Sequence, residues 1–453
     1  MRIVVIGGGI SGLACAWRLQ QLGAPILLLE QEEHCGGVIR SVRRDGLLFE
    51  AGPQSFLITE PLLNLVRSLK LEDELLYADS RAPRYVLVDG RLIAVPLAPP
   101  ALFSSPLLSA RTKMRVLGER FRRSQPPEGD ESIAAFVRRK FGTELLDRLV
   151  APMVSGIYAG DPERLSMRSS FPTVHEWESR YGSVLRGAMK SRGEKEVRRP
   201  VLGAFRQGNA SLTQCMEESL AAAVSQRTRV LAVRRRKSNG SPGLEIACEI
   251  AGRQEVIPAG ALVVAAPAGT AATLMTELVP GAAELARIDY AALAVVAGAY
   301  AQTDLAAPLN GFGFLVPRAE GLRVLGTIWN SSQFPARGPQ GHAVLTSFVG
   351  GATDTAAREM SDDALFQTVE TELRRVLGIR AAPRVRFVQR WAQALPQYNL
   401  GHGARLLAVR EALAKVPGVF LAGNYLQGPS VGSCVENSSQ VAQQAYEFWR
   451  AAQ

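Results

Sequence analysis

The chain has 453 residues, 47% hydrophobic and 21% charged, which is too long for one ordinary core and fits two or three folded lobes. The net charge of +10 lies wholly between Arg81 and Arg206, where 23 Lys and Arg face 13 Asp and Glu; no aromatic-basic interleaving accompanies it, so nucleic acid is not an expected partner. Five dispersed cysteines without a CxxC pair and four scattered histidines argue against a disulfide framework and against a metal site.

The first thirty residues, "MRIVVIGGGISGLACAWRLQQLGAPILLLE", predict a β-α-β unit. Ile3–Ile6 is apolar on both faces, as a buried parallel strand requires. Gly7, Gly9 and Gly12 form GxGxxG between strand and helix, with Ile10 and Ser11 in the turn. Gly7 serves the tight turn, Gly9 the approach of a pyrophosphate, and Gly12 the packing of helix on strand. The helix N-terminus then faces the phosphates with unpaired N–H groups. Glu30, eighteen residues past Gly12, ends the second strand where a carboxylate meets ribose hydroxyls. The immediate entry into a strand leaves no room for a signal peptide, and no apolar run reaches the roughly 18 residues of a membrane span. A cytoplasmic site of action is expected, in bulk or at a membrane face.

Next come a glycine doublet, Gly36-Gly37, with Arg40 in "GGVIRS", and a second sharp turn at Gly52-Pro53 in "FEAGPQSFL". From about Ala82 to Arg199 the pattern is helical and basic, broken by the prolines of "VPLAPPALFSSPLL". In "DESIAAFVRRKFGTELLDRLVAPMVSGIYAGD", Asp130 or Ser132 is the expected cap, and Gly156 to Gly160 closes the run. Such a lobe either packs on its own domain or lies on an anionic membrane surface.

"LGAFRQGNASLTQCMEESLAAAV" brings a glycine turn and a helix, followed by a β-meander that finishes in a buried strand, Leu262–Ala266. "RRRKSNGSPG" within it is the nearest approach to low complexity. Residues 280–400 predict a second α/β lobe, with strands near Ala294–Ala301, Phe312–Val316, Val324–Trp329 and Ala343–Val349 and a helix at Asp362–Leu377. "GNYLQGPSVGSCVENSSQVA", near the end, reads as a strand end, a glycine-rich turn and a helix, in the manner of a phosphate loop far from the first one.

These stretches, with "SGIYAGDPERLSM", "GFGFLVP", "GTIWNSSQFP", "VGGATD" and "LPQYNLGH", together resemble the oxygen-dependent protoporphyrinogen oxidases and the similar coproporphyrinogen III oxidases. That family lies within the FAD flavoproteins related to amine oxidases. The wider group usually carries Arg-x-Gly-Gly-Arg at the doublet, where this chain has His34 and Val38. The resemblance implies an α/β, two-lobed FAD-binding fold of Rossmann type. Its FAD domain would be discontinuous (1–80, 201–280 and 405–453), with a basic helical lobe at 81–200 and an α+β substrate domain at 281–404.

The implied activity removes six hydrogens from protoporphyrinogen IX at the flavin, giving protoporphyrin IX in haem biosynthesis. Dioxygen would be the acceptor and hydrogen peroxide the by-product. Coproporphyrinogen III is the alternative substrate. An amine oxidase, a carotenoid desaturase and a non-enzymatic flavin-binding membrane partner are the other classes. No side chain is assigned as catalytic, because flavin N5 does the chemistry and the protein supplies position and polarity.

By the same resemblance Gly36, Gly37, Arg40, Gly52, Pro53, Gln54 and Ser55 contact the cofactor, and the backbone at Val233 meets the adenine. Pro429, Ser430 and Val431 contact the flavin, so the late loop is a flavin loop whose helix, starting near Ser433, aims its N-terminus at the ring. Phe312, Leu315 and Phe348 form an apolar clamp on the macrocycle. Tyr398 and His402 serve structural hydrogen bonding. The family's propionate-pairing arginine falls at Pro100, which leaves Arg168 as the substitute. A monomer or a homodimer is expected.

Overall fold

The computed structural model describes residues 1–96, 101, 104–194, 201–236, 243–338 and 341–453; Pro100 and the centre of "RRRKSNGSPG" lie outside the described residues. A five-stranded parallel sheet carries the first lobe, in the order Val224–Ser225, Ile26–Leu29, Ile3–Ile6, Ala261–Val264, Val419–Leu421. Its strands come from all three segments expected for the FAD domain. Such a sheet needs cover on both faces, and Ile3, Val4 and Val5 are fully buried. Helices Ile10–Gln21 and Val431–Ala451 share a core on one face through Leu13, Leu19, Val435, Val441 and Ala445. The other face is covered by helix Ala268–Met275 and by the meander Thr228–Arg235, Leu244–Ile250, Arg253–Ala259. The buried strand ends at Val264, two residues before the expected Ala266, and Pro267 then caps the next helix.

The second lobe is built on a seven-stranded sheet in the order Val385–Pro396, Tyr290–Ala301, His342–Gly350, Val324–Trp329, Gly313–Leu315, Tyr85–Val88, Arg91–Ala94. Its last two strands are a correction to the sequence reading, which placed them in the basic helical lobe. The hairpin turns at Asp89-Gly90, both with positive φ (51° and 73°), the turn that an Asp-Gly pair favours. Its first strand then pairs in parallel with Gly313–Leu315. The long edge strand Val385–Pro396 also escapes the sequence reading, because its apolar alternation, clear at Val385 and Phe387, is broken by Val388 and Gln389.

In the helical lobe, Ser132 caps helix Ile133–Lys140 by accepting from the Ala135 N–H at 3.1 Å. The periodic run that follows is not one helix. Gly142, at φ +99°, interrupts it, and a π-helical turn, Leu146–Val150, precedes helix Ala151–Tyr158. Beneath the surface, the Lys140 ammonium lies 3.0 Å from Glu119 and 2.9 Å from Glu178, and Arg139 lies 2.8 Å from Glu178. Burial alone would raise the Glu178 carboxyl, but hydrogen bonds from Arg139, Ser124 and Lys140 hold it down at about 2. The buried cations here are paired, so the excess positive charge sits outside.

Contacts between the lobes cluster around the Gly52-Pro53 turn. Buried Glu50 pairs with Arg337 at 2.8 Å, Asn330 donates to the Gln54 carbonyl at 2.8 Å, and Gln333 donates to the Ser55 hydroxyl at 3.3 Å. The Asn330 carbonyl in turn accepts from Thr346 at 2.8 Å, which carries the connection into the second sheet.

Candidate active site

The first β-α turn is built on glycines at three closely spaced positions. A Cβ at Gly12 would stand 1.8 Å from the Gly7 carbonyl oxygen, so helix and strand meet without room for a side chain. Gly7 has φ +103°, and its Cβ would meet the Ala265 carbonyl at 3.0 Å. A Cβ at Gly9 would meet nothing within 4 Å, so that position opens onto free space. Gly9 is also the N-cap of helix Ile10–Gln21 and offers no side chain to its first N–H groups. Those groups, from Ile10 and Ser11 onward, are therefore available to a phosphate. Glu30 is buried directly beneath, accepting from the Gly8 N–H at 2.6 Å and from the Glu32 N–H at 2.9 Å. Each carboxylate oxygen keeps a lone pair for a ribose hydroxyl.

The glycine doublet closes over this turn. The Gly36 N–H donates to the Gly8 carbonyl at 2.8 Å, and Gly36 and Gly37 both have positive φ (115° and 59°). Arg40 donates to the Gly37 carbonyl at 3.0 Å and lies 5.4 Å from the Trp391 ring centroid. At the next turn, a Cβ at Gly52 would fall 1.9 Å from the Val38 carbonyl oxygen. The Gln54 amide is used to hold that turn, donating to Glu50 and Gly52 carbonyls at 2.9 Å each. Val233 is fully buried in the meander, opposite Ile246.

The late glycine loop arrives at the same place from the other end of the chain. Its helix begins at Val431, two residues earlier than expected near Ser433, because the Ser430 hydroxyl caps the Ser433 N–H at 3.1 Å. Helices Ile10–Gln21 and Val431–Ala451 pack in one core, with buried Ser11 and buried Cys434 in their first turns. A Cβ at Gly432 would lie 2.8 Å from Thr59, just past the Gly52–Ser55 turn. Two positive helix ends and two tight turns thus border one region. The open space at Gly9 and the uncapped helix start suit the pyrophosphate of FAD, and the Pro429–Val431 turn suits its ring. Pro429 follows Gly428, whose φ of +128° sets the bend.

Of the three residues expected to clamp the macrocycle, two are brought together. Leu315, Gly326 and Phe348 occupy one rung across three neighbouring strands, so Leu315 and Phe348 share a face with a glycine between them. Helix Ala151–Tyr158 approaches that face: a Cβ at Gly156 would stand 2.9 Å from the Leu315 side chain. On the same helix Met153, one turn before Gly156, and Ile157, one turn after Met153, are exposed. Phe312 packs apart, against Ala78, Ala204 and Phe334.

Over the Phe312 ring, 4.6 Å from its centroid, lies the guanidinium of Arg84. It is half-buried, burial lowers its pKa, and it has no carboxylate partner among the described residues. Sequence reasoning missed this arginine, since no local spacing marks it. Arg168, the residue chosen in its place, is exposed on the short helix Met167–Ser170.

A family model described as flavin containing amine oxidoreductase matches residues 10–445. The chain is similar to chloroplastic protoporphyrinogen oxidase 1 of Spinacia oleracea, at 34% identity over 98% of this chain and 84% of that protein. It is also similar to coproporphyrinogen III oxidase of Bacillus subtilis strain 168, at 28% identity over 98% of each. Among solved structures, a protein of Exiguobacterium sp. 255-15 proposed to be a protoporphyrinogen oxidase superposes with a TM-score of 0.83 at 25% identity over 98% of each chain. A putrescine oxidase variant superposes with a TM-score of 0.72 at 15% identity over 100% of this chain and 99% of that one, which is a likeness of fold alone.

Proposed function

The chain belongs to the flavin-containing amine oxidoreductase family, and we propose that within it this protein is an FAD-dependent porphyrinogen oxidase of haem biosynthesis. Its substrate is protoporphyrinogen IX, its acceptor dioxygen and its by-product hydrogen peroxide. One observation carries the reading: an apolar sheet face bears Leu315 and Phe348, and the strand holding Leu315 is preceded by Phe312, whose ring lies under Arg84, a guanidinium with no carboxylate partner among the described residues. A broad apolar ring system with carboxylate arms is the ligand such a surface fits.

Bound FAD supplies the two-electron acceptor that the methylene bridges of the substrate require. The chain's own residues supply the rest. Gly9, the first turn of helix Ile10–Gln21 and Glu30 hold the dinucleotide end. The Pro429–Val431 turn aims a positive helix end at the ring, where negative charge gathers on reduction. Leu315 and Phe348, with Met153 and Ile157 opposite, exclude water and set the plane of the macrocycle. Arg84 fixes its rotation through one propionate, in a charge-assisted hydrogen bond. An apolar wall with an arginine at its margin suits two carboxylates better than four, which favours protoporphyrinogen over coproporphyrinogen. His402 is no general base in this scheme: burial pushes it down to about 4, and its Nε2 is committed to a backbone carbonyl. The test is whether a porphyrinogen reduces the bound flavin in the absence of oxygen.

A peripheral contact with an anionic membrane is supported by a separate feature. Arg123, Arg180, Arg186 and Lys190 line an open cavity of about 440 Å³, and none has a carboxylate partner among the described residues. In the same lobe Phe121 and Met189 are 69% and 62% exposed. Cations beside exposed apolar side chains suit a surface of anionic headgroups over acyl chains. Among the described residues no helix is long and apolar enough to cross a membrane.

A further inference from the structure

We propose that Tyr398 and His402 are positioning residues for the flavin, holding the turn from Asn424 to Gly428 in the shape that aims helix Val431–Ala451 at the ring. This rests on the FAD reading above and adds two residues to it that stand outside the binding surface.

The turn is short and held from one side, with Tyr425 buried at its start and Gln427 exposed. The Tyr398 hydroxyl donates to the Asn424 carbonyl and accepts from the Gly428 N–H at 2.8 Å. One phenol, with a single proton and two lone pairs, thereby bridges the first and last residues of the turn. His402 secures the middle, its Nε2 lying 3.0 Å from the Tyr425 carbonyl oxygen. A carbonyl oxygen only accepts, so Nε2 carries the proton; Nδ1 has no partner among the described residues. The two rings stack with centroids 4.3 Å apart and planes 10° from parallel, so neither can tilt alone. Tyr398 is in turn anchored to the helical lobe, where its carbonyl accepts from the Ser166 N–H at 2.8 Å.

What this pair fixes is the entry to the flavin helix. Gly428 has φ +128°, a Cβ there would stand 3.0 Å from the Ser433 hydroxyl, and Pro429 and the cap Ser430 follow at once. Any rotation of the Gly428 peptide swings the first N–H groups of the helix. Both side chains are neutral as placed, so they act on the flavin only through this geometry. That separates them from Tyr158, whose ring also lies against Tyr398 (5.7 Å) but whose hydroxyl donates to the Ser170 carbonyl at 2.9 Å, away from the turn.

The experiment measures FAD dissociation constant and flavin midpoint potential in Tyr398→Phe, His402→Phe and, as control, Tyr158→Phe, on the full chain. Tyr398→Phe leaves Asn424 and Gly428 without their partner, so the FAD dissociation constant should rise at least about tenfold. The potential should become more negative, because the helix N–H groups turn away from the charge of the reduced ring. His402→Phe should move both in the same direction by less. Tyr158→Phe should lower thermal stability and move neither. The proposal is overturned if Tyr398→Phe leaves both values unchanged, or if Tyr158→Phe shifts them as far. Should Tyr398→Phe fail to fold, the comparison of His402→Phe with Tyr158→Phe decides by the same criteria. Wild-type protein unable to bind FAD would overturn the flavin reading itself, a distinct result.

Discussion

The guanidinium of Arg84 rests on the face of Phe312, 4.6 Å from the ring centroid, and meets no carboxylate among the described residues. A cation held half out of water without a partner is poised to take one from a ligand. Replacing Arg84 with Met removes one charge-assisted hydrogen bond to a propionate, about 2 kcal/mol or roughly thirtyfold in kcat/KM. The loss should appear mainly in KM, since the bond is made equally in the ground and transition states. Arg84→Lys should recover part of it. Steady-state kinetics with an unchanged KM would remove Arg84 from the site.

The two glycines of the first turn should fail in different ways. At Gly9 a Cβ meets nothing within 4 Å and φ is −69°, so Gly9→Ala should fold with the melting temperature of FAD-stripped wild type. Its methyl occupies the space left for the pyrophosphate, so the ratio of flavin to protein absorbance should fall. At Gly12 a Cβ would lie 1.8 Å from a backbone oxygen, so Gly12→Ala should destabilise the FAD-stripped protein as well. Equal flavin content in Gly9→Ala and wild type would move the cofactor elsewhere.

How much of this was legible follows from how local each feature is. Strand Ile3–Ile6, its GxGxxG turn and helix Asp362–Leu377 are legible to the residue because their signals lie within a few positions. The helix cap Ser361 and the C-terminal Gly378 of that last helix are local as well. Arg84 against Phe312 was not legible, because parallel pairing of Tyr85 with Phe314 brings together segments far apart in sequence. The run from Ile133 to Tyr158 looked like one helix because its apolar spacing averages across Gly142 and the π turn. The sequence puts the start of the late helix near Ser433 instead of Val431 because both Ser430 and Ser433 are capping residues, and only their 3.1 Å hydrogen bond shows which one caps.

His402 should make stability depend on pH. Burial lowers its pKa from 6.5 to about 4, so the folded chain holds it neutral while the unfolded chain takes a proton below about pH 6.5. Its contribution is therefore complete above that value and is lost as pH falls toward 4. The loss should be about 2 kcal/mol by pH 5. Urea unfolding of wild type and His402→Phe at about pH 7 and pH 5 checks it. The variant should be less stable at the higher pH and show a smaller fall between the two. Parallel falls in both proteins would mean that other groups carry the acid sensitivity.

The cationic cavity gives a membrane prediction. Wild type should float with phosphatidylglycerol vesicles at low salt and less so at high salt, and should stay away from neutral phosphatidylcholine vesicles. Arg180→Glu with Arg186→Glu should abolish flotation, and Phe121→Ser should weaken it, with porphyrinogen oxidation in detergent-free solution unchanged in each. Wild type that remains in the soluble fraction at every salt concentration would rule the contact out.

The central claim, that this chain oxidises a porphyrinogen at a bound flavin, is tested most directly by one anaerobic titration. Purified protein carrying FAD is mixed with stepwise additions of protoporphyrinogen IX while the flavin absorbance and porphyrin fluorescence are followed. The account predicts bleaching of the flavin band with porphyrin appearing in step, and return of the band when air is admitted. A flavin that stays oxidised under excess protoporphyrinogen and coproporphyrinogen, yet bleaches with a simple amine, would contradict it.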